Sequence, residues 1–308
     1  MATVRKCFSS LLEAGNVMNT IHLSYVEERG LGRFDDKVAI ITGCRRGFGE
    51  VMAKLFAAEG AAVSISDIVP VDELWRHVGS KIEEKGGRVH CQRTDVSQED
   101  QVNQMVAETI RKLGTVDILV NNVGIAGPTK ATWELTLEEW NRSMEVNLGG
   151  TFLCTKAAIP EMIKKKYGRI INFSSIMSKN PYPYRTPYAT TKGGIIGFTR
   201  ILALEVGKYS ITANSVCPGN PGGERNVEVL RDLAKYLGKP FDEEAIRKRF
   251  NDMREKGVVG GKYLTEEGYV EALISHEDVA RLVMFLASED AAHITGQDIN
   301  VSAGTTMW

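Results

Sequence analysis

No apolar run in this sequence approaches the roughly 20 residues of a membrane-spanning helix, so none is expected. Cysteine is scarce. The five residues (Cys7, Cys44, Cys91, Cys154 and Cys217) are odd in number, form no close pairs and lack metal-ligand spacing. That pattern argues against a disulfide scaffold and a zinc site, and it predicts free thiols in a reducing compartment, the cytoplasm. Net charge is missing too: 38 Lys/Arg against 39 Asp/Glu leave −1, with no electrostatic drive toward nucleic acid or an anionic membrane. There is no internal repeat or low-complexity segment, and residues 1–36 lack the apolar stretch of a secretory signal. What remains is a chain of 308 residues with 43% hydrophobic content, ample for a packed core.

The pattern of that content alternates. Short apolar runs near 38–42, 62–67, 89–94, 117–121, 170–174, 211–217 and 298–301 read as strands. Between them lie helical stripes such as Val102, Met105, Val106, Ile110 and Leu113. The expected fold is α/β, a doubly wound seven-stranded parallel sheet of Rossmann type with helices on both faces. Ser97, Thr136 and Ser275, each three residues before an acidic residue, read as helix N-caps.

After the first strand comes Gly43-Cys44-Arg45-Arg46-Gly47-Phe48-Gly49, then Val51, Met52, Leu55 and Phe56 at helical spacing. Strand, glycine loop and helix are the context in which backbone can approach a pyrophosphate at a helix N-terminus. A second strand ends in Asp67, eighteen residues beyond Gly49, where a carboxylate would accept bonds from the adenosine ribose. A carboxylate there repels a 2′-phosphate and favours NAD over NADP, whereas Arg45 and Arg46 are compatible with either.

Tyr188 and Lys192 stand four residues apart, and Ser175 precedes the tyrosine by thirteen. On a helix, that spacing puts phenol and ammonium on one face. A free phenol, with a pKa of about 10, is a poor base at neutral pH, and a neighbouring cation favours its phenolate. Tyr188 is then a candidate general acid/base, and the Ser175 hydroxyl a candidate to hold a substrate oxygen.

Together these motifs resemble the short-chain dehydrogenase/reductase family, in the branch carrying Thr-Gly-x-x-x-Gly-x-Gly and Tyr-x-x-x-Lys, from about Lys37 to about Gly304. The resemblance implies that Thr42 to Gly49 hold the cofactor. Asp95 and Val96 would contact adenine, and Asn121 belongs to the segment Asn121-Asn122-Val123-Gly124 after the fourth strand. Asn147 matches the asparagine that positions a helix and holds a proton-relay water. Pro218-Gly219 matches the turn near the nicotinamide. It further implies catalysis by Asn147, Ser175, Tyr188 and Lys192, with Lys192 also binding the nicotinamide ribose. The family usually forms dimers or tetramers, so the resemblance also implies a homo-oligomer, expected to be a tetramer with dihedral symmetry. Three departures stand out. Val123 replaces alanine, Asn220-Pro221-Gly222-Gly223-Glu224 lacks the family's nicotinamide-binding threonine, and Val301-Ser302-Ala303-Gly304 stands for Val-Asp-Gly-Gly.

The expected reaction is NAD-dependent interconversion of a secondary alcohol and a ketone, without a metal. An NADPH-dependent biosynthetic ketoreductase and a non-catalytic dinucleotide-binding sensor or scaffold are the alternatives. Residues 1–36 form an N-terminal extension: a subunit-contacting arm, a start read too early (Met18 is available) or a transit peptide. Residues 37–308 form one catalytic domain, with an insertion at about 222–274, helical near 227–237 and 243–254, expected to be a lid over the substrate. Arg185, three residues before Tyr188, and Arg225, after Gly222-Gly223, either face solvent or turn inward to meet an acidic group on the substrate.

Overall fold

The computed structural model describes residues 32–255, 262–265, 268–271 and 273–308. Seven strands, β1 (Val38–Thr42), β2 (Ala62–Asp67), β3 (Val89–Arg93), β4 (Ile118–Asn121), β5 (Gly168–Phe173), β6 (Ile211–Pro218) and β9 (Asp298–Val301), form one sheet in the order β3-β2-β1-β4-β5-β6-β9. Every pairing in it is parallel. The strand order reverses between β1 and β4, and a doubly wound sheet opens its ligand crevice at such a point.

Alternation along β1 explains the two layers. Ala39 and Ile41 face one side, with Met52 and Phe56 of α1 (Phe48–Ala58) and Val279 and Val283 of α8 (His276–Ala287). Ile40 faces the other, with Val102 and Met105 of α2 (Glu99–Leu113), Cys154 and Met162 of α4 (Gly150–Lys165) and Leu202 of α5 (Thr186–Val206). Both faces of the sheet are therefore covered, which is why its strands are apolar runs instead of alternating ones. Phe34 lies in the first layer, its ring 4.8 Å from that of Phe56, so core packing begins ahead of Lys37. Residues 1–31, most of the expected extension, lie outside the described residues.

Thr136 and Ser275 cap α3 (Leu137–Ser143) and α8 with reciprocal side-chain bonds to Glu139 and Asp278. Ser97 does not cap: α2 begins after Gln98 with no side-chain cap. Asp95 takes Ser97 instead, accepting from its N–H (3.0 Å) and its hydroxyl (2.6 Å), a local turn that competes with capping. The inserted segment carries α6 (Glu224–Tyr236) and α7 (Glu243–Glu255), as its periodicity predicts. It also contains an antiparallel ribbon, β7 (Lys262–Thr265) with β8 (Gly268–Glu271), that a purely helical reading misses.

Among the described residues no helix is long and apolar enough to cross a membrane, and no cluster of His, Cys, Asp and Glu could hold a metal. Cys44, Cys91, Cys154 and Cys217 are free and buried, and burial pushes the Cys91 and Cys154 thiols up to about 12, which leaves them inert. Cys7 lies outside the described residues.

Candidate active site

The ends of β1, β2, β4, β5 and β6 converge on one edge of the sheet, and the glycine loop crosses it. Gly43 (φ 72°) and Gly47 (φ 69°) occupy the left-handed region that glycine tolerates best. At Gly49 a side chain would collide with the Gly43 carbonyl, so the third glycine lets α1 close onto its own strand. No side chain caps α1, which leaves its first backbone N–H groups to the crevice. The residues present thus fit a dinucleotide: positive-φ turns, a close helix approach and free amides where a pyrophosphate binds.

Asp67 closes the far side of this loop. Its carboxylate accepts from the Arg45 N–H (2.9 Å) and from the Ile68 N–H (2.8 Å), so it is fixed at the tip of β2. Arg45 turns its guanidinium to Glu73 (2.5 Å) and Arg46 reaches Glu228 (3.5 Å). Both arginines therefore already have carboxylate partners. Asn122, not singled out by sequence reasoning, donates to the carbonyls of Thr42 (2.8 Å) and Gly43 (3.0 Å) and holds the loop in place. Asn121 points elsewhere. Its amide bonds Asn172 (2.8 Å) and Thr155 (3.0 Å) inside the sheet layer, so its side chain does not face the crevice. Val96 is buried so tightly against Gly150 that a methyl there would lie 2.5 Å from it, and Asp95 is tied to Ser97. Pro218 ends β6, and the Gly219 N–H donates to the Val301 carbonyl (2.8 Å).

Tyr188 and Lys192 sit in the first two turns of α5, whose start is set by Pro187, a residue suited to a first turn. Tyr188 is half-buried, while Lys192 is only 3% exposed. The lysine Nζ lies 5.7 Å from the centre of the Tyr188 ring and donates to the Phe173 carbonyl (2.6 Å). The Ser174 hydroxyl donates to the Lys192 carbonyl (2.8 Å), which ties the end of β5, and Ser175 with it, to the same turn of α5. Ser175 is buried and accepts from the Met177 N–H (3.2 Å) at the head of a short 3-10 turn. Burial pushes the Lys192 ammonium down to about 7, with Arg225 adding to the shift.

Asn147 lies in a π-helical turn, Met144–Gly149, between α3 and α4. Its side chain accepts from the Ile125 N–H (2.7 Å) and donates to the Ile125 carbonyl (3.1 Å) and to Thr191 (3.1 Å). Such π turns are frequent at functional sites, because the extra residue re-aims the helix. The loop after β4, the π turn and α5 meet at Gly124. A Cβ there would lie 3.2 Å from Lys192 Nζ and 3.3 Å from Asn147 Oδ1. Lys192 and Asn147 thus meet at Gly124, with the Tyr188 ring beside the lysine and Ser175 tied to the same turn of α5, groups whose types are able to move a proton and hold an alcohol oxygen.

Arg185 is not a surface residue. It is 4% exposed, donates to Thr129 (2.9 Å) and stacks over the Tyr188 ring at 5.1 Å. Arg225 is exposed yet donates inward to the Gly124 carbonyl (2.7 Å).

The short chain dehydrogenase family model matches residues 37–232. The D-beta-hydroxybutyrate dehydrogenase of Rhizobium meliloti is 33% identical over 270 residues, 88% of this chain and 98% of the relative. A 3-oxoacyl-[acyl-carrier-protein] reductase of Chlamydia muridarum is 34% identical over 270 residues, 87% of this chain and 97% of the relative. Among solved structures, an NAD+-bound xylitol dehydrogenase aligns with a TM-score of 0.75 at 27% identity, covering 88% of this chain and 99% of that one. An actinorhodin polyketide ketoreductase with NADPH aligns with 0.77 at 29%, covering 90% and 100%.

Proposed function

The chain belongs to the short-chain dehydrogenase family, an oxidoreductase of NAD(P) acting on CH–OH groups, and on that premise we propose that it is an NAD-dependent secondary alcohol dehydrogenase or ketone reductase. The observation that carries this reading is the convergence of Lys192 and Asn147 at Gly124, beside Tyr188 on the first turns of α5. When bound, the nicotinamide supplies the hydride acceptor or donor. Tyr188 takes the proton of the alcohol as its carbinol is oxidised, and returns it in reduction. Ser175 holds the alcohol oxygen and then the carbonyl that forms from it. Lys192 as ammonium stabilises the phenolate and holds the ribose, and Asn147 keeps a water in the proton path.

NAD is favoured by Asp67, whose carboxylate the loop itself fixes, together with the pairing of Arg45 and Arg46 to Glu73 and Glu228. Asp95, Val96, the backbone at Asn121 and the Pro218-Gly219 turn complete the cofactor site, and the segment around α6 and α7 acts as a lid. The solved structures named above include one with NAD+ bound and one with NADPH, so the NADPH-dependent ketoreductase remains the second reading, favoured by the latter. Exposed apolar side chains on α4 and α5 (Phe152, Ile201 and Leu204) support a homo-oligomer, proposed to be a tetramer. The buried free thiols are in keeping with a cytoplasmic setting.

The test is a panel of secondary alcohols and ketones assayed with NAD and with NADP at equal concentration. Turnover with a higher kcat/KM for NAD is the expected result. Turnover with NADP alone selects the ketoreductase, and dinucleotide binding without turnover of any substrate selects the non-catalytic reading.

A further inference from the structure

Among the described residues the other buried cations are satisfied. Arg169, 3% exposed, donates to Glu289 (3.1 Å) and to the carbonyls of Gly168 (3.0 Å), Ser210 (3.4 Å) and Ser288 (3.5 Å). Lys179 pairs with Asp298 at 2.7 Å. Arg185 breaks the pattern. Its Nη1 has Thr129, but its buried Nε has no partner, and no ion pair among the described residues includes it. Burial pulls its affinity for the proton down. Of the charged groups around it, Tyr182, Tyr188 and Asp232 favour the cation, while Arg225 opposes it. An unpaired guanidinium in such a place is costly unless a partner arrives.

Arg225 makes the need sharper. It bonds the Gly124 carbonyl and lies close enough to weaken both Arg185 and Lys192, and no ion pair among the described residues includes it either. Arg185 at the head of α5 and Lys192 in its second turn both lie over the Tyr188 ring, Arg225 at the head of α6 acts on both, and none of the three has a bonded carboxylate among the described residues. The Lys192 charge has its expected partner in the tyrosine, whereas neither arginine is in an ion pair among the described residues, Asp232 acting on Arg185 only from a distance. The arrangement is specific in place, because Arg185 stacks on the face of the phenol that handles the proton.

We propose that Arg185 and Arg225 form an anion clamp in the substrate pocket, and that the substrate is a secondary hydroxy acid, or its keto acid, with the acid group a short spacer from the carbinol. This rests on Tyr188 being the acid/base group of an oxidoreductase. Carboxylate, sulfonate and phosphate all present the oxygens that a guanidinium fork recognises, and bidentate contact would orient the carbinol toward the phenol. Thr129, which sequence reasoning did not single out, is a positioning residue that sets the Arg185 fork.

The experiment has two arms, so that failure of the clamp and failure of the oxidoreductase reading are distinguishable. In the first, 3-hydroxy acids and their sulfonate and phosphate counterparts are compared with matched methyl esters, in wild type, Arg185→Met and Arg225→Met. Wild type should prefer the acids, and each variant should lose about 10- to 100-fold of that preference, mainly in KM, the scale of one charge-assisted bond. In the second, calorimetry of unreactive butyrate and propanesulfonate on the NAD-saturated protein measures anion binding without turnover. Binding in wild type that weakens about tenfold or more in Arg225→Met, whose side chain is exposed and whose loss should not disturb folding, supports the clamp even if no substrate turns over. Turnover of esters as good as that of acids, with no anion binding, overturns the clamp and leaves the oxidoreductase reading standing. Absence of both turnover and anion binding overturns both.

Discussion

Lys192 shows most directly how burial and chemistry are coupled at one residue. Its ammonium, 3% exposed, is pushed by burial from an ordinary 10.5 down to about 7. Between those values the unfolded chain binds more protons at this position than the folded one. The lysine's contribution to stability therefore rises with pH from about 7 toward 10.5, and its burial cost is felt in full below about 7. In Lys192→Met that dependence is removed, so urea midpoints at pH 7 and 9.5 should show wild type gaining on the variant as pH rises. Equal pH dependence in the two proteins would contradict the buried-ammonium account. Asp67 makes a second residue-scale case. Removing its carboxylate in Asp67→Ala removes the repulsion of a 2′-phosphate, and the NAD-over-NADP ratio of kcat/KM should fall about tenfold or more, the scale of one charge contact. An unchanged ratio would mean that Arg45 and Arg46 leave Glu73 and Glu228 to decide the cofactor.

At the scale of elements, the glycine loop and its helix are the strictest feature. A methyl at Gly49 has no room against the Gly43 carbonyl and would lie 2.8 Å from the Asn122 amide that holds the loop. Gly49→Ala should cost roughly 1–3 kcal/mol of stability and weaken NADH binding, as read by thermal unfolding and fluorescence titration. Wild-type values in both would show that the loop is not so tightly built. The strands were legible because a sheet covered on both faces demands short apolar runs, and Val38–Thr42 is one. The caps at Thr136 and Ser275 were legible as local chemistry, whereas Ser97 misled because Asp95, two residues back, won the competition for it. The π turn at Asn147 leaves no mark in a hydrophobic stripe, since one extra residue per turn does not change composition. Nor could spacing show that Arg185 is buried. That depends on Thr129, which arrives from a loop 56 residues earlier.

At the scale of the molecule, the apolar side chains left outside the core argue for assembly. Leu204 is 80% exposed and Ile201 59%, with Phe152 of α4 at 47%. Ile201 and Leu204, three apart, continue a row from Phe198, whose ring meets that of Phe152 at 6.5 Å, so the patch spans both helices. Light scattering should give a multiple of the 34.0 kDa chain mass, and Leu204→Glu should shift it toward the monomer. A wild-type monomer at micromolar concentration would contradict assembly through this face. The central claim, an oxidoreductase in which Tyr188 moves the proton, is tested most directly by one paired measurement. NAD-dependent turnover of the best secondary alcohol and NADH affinity are measured side by side in wild type and Tyr188→Phe. The account predicts at least about a hundredfold loss of kcat with NADH affinity nearly unchanged, because the ring stays and only the hydroxyl goes. Turnover within tenfold of wild type would contradict it.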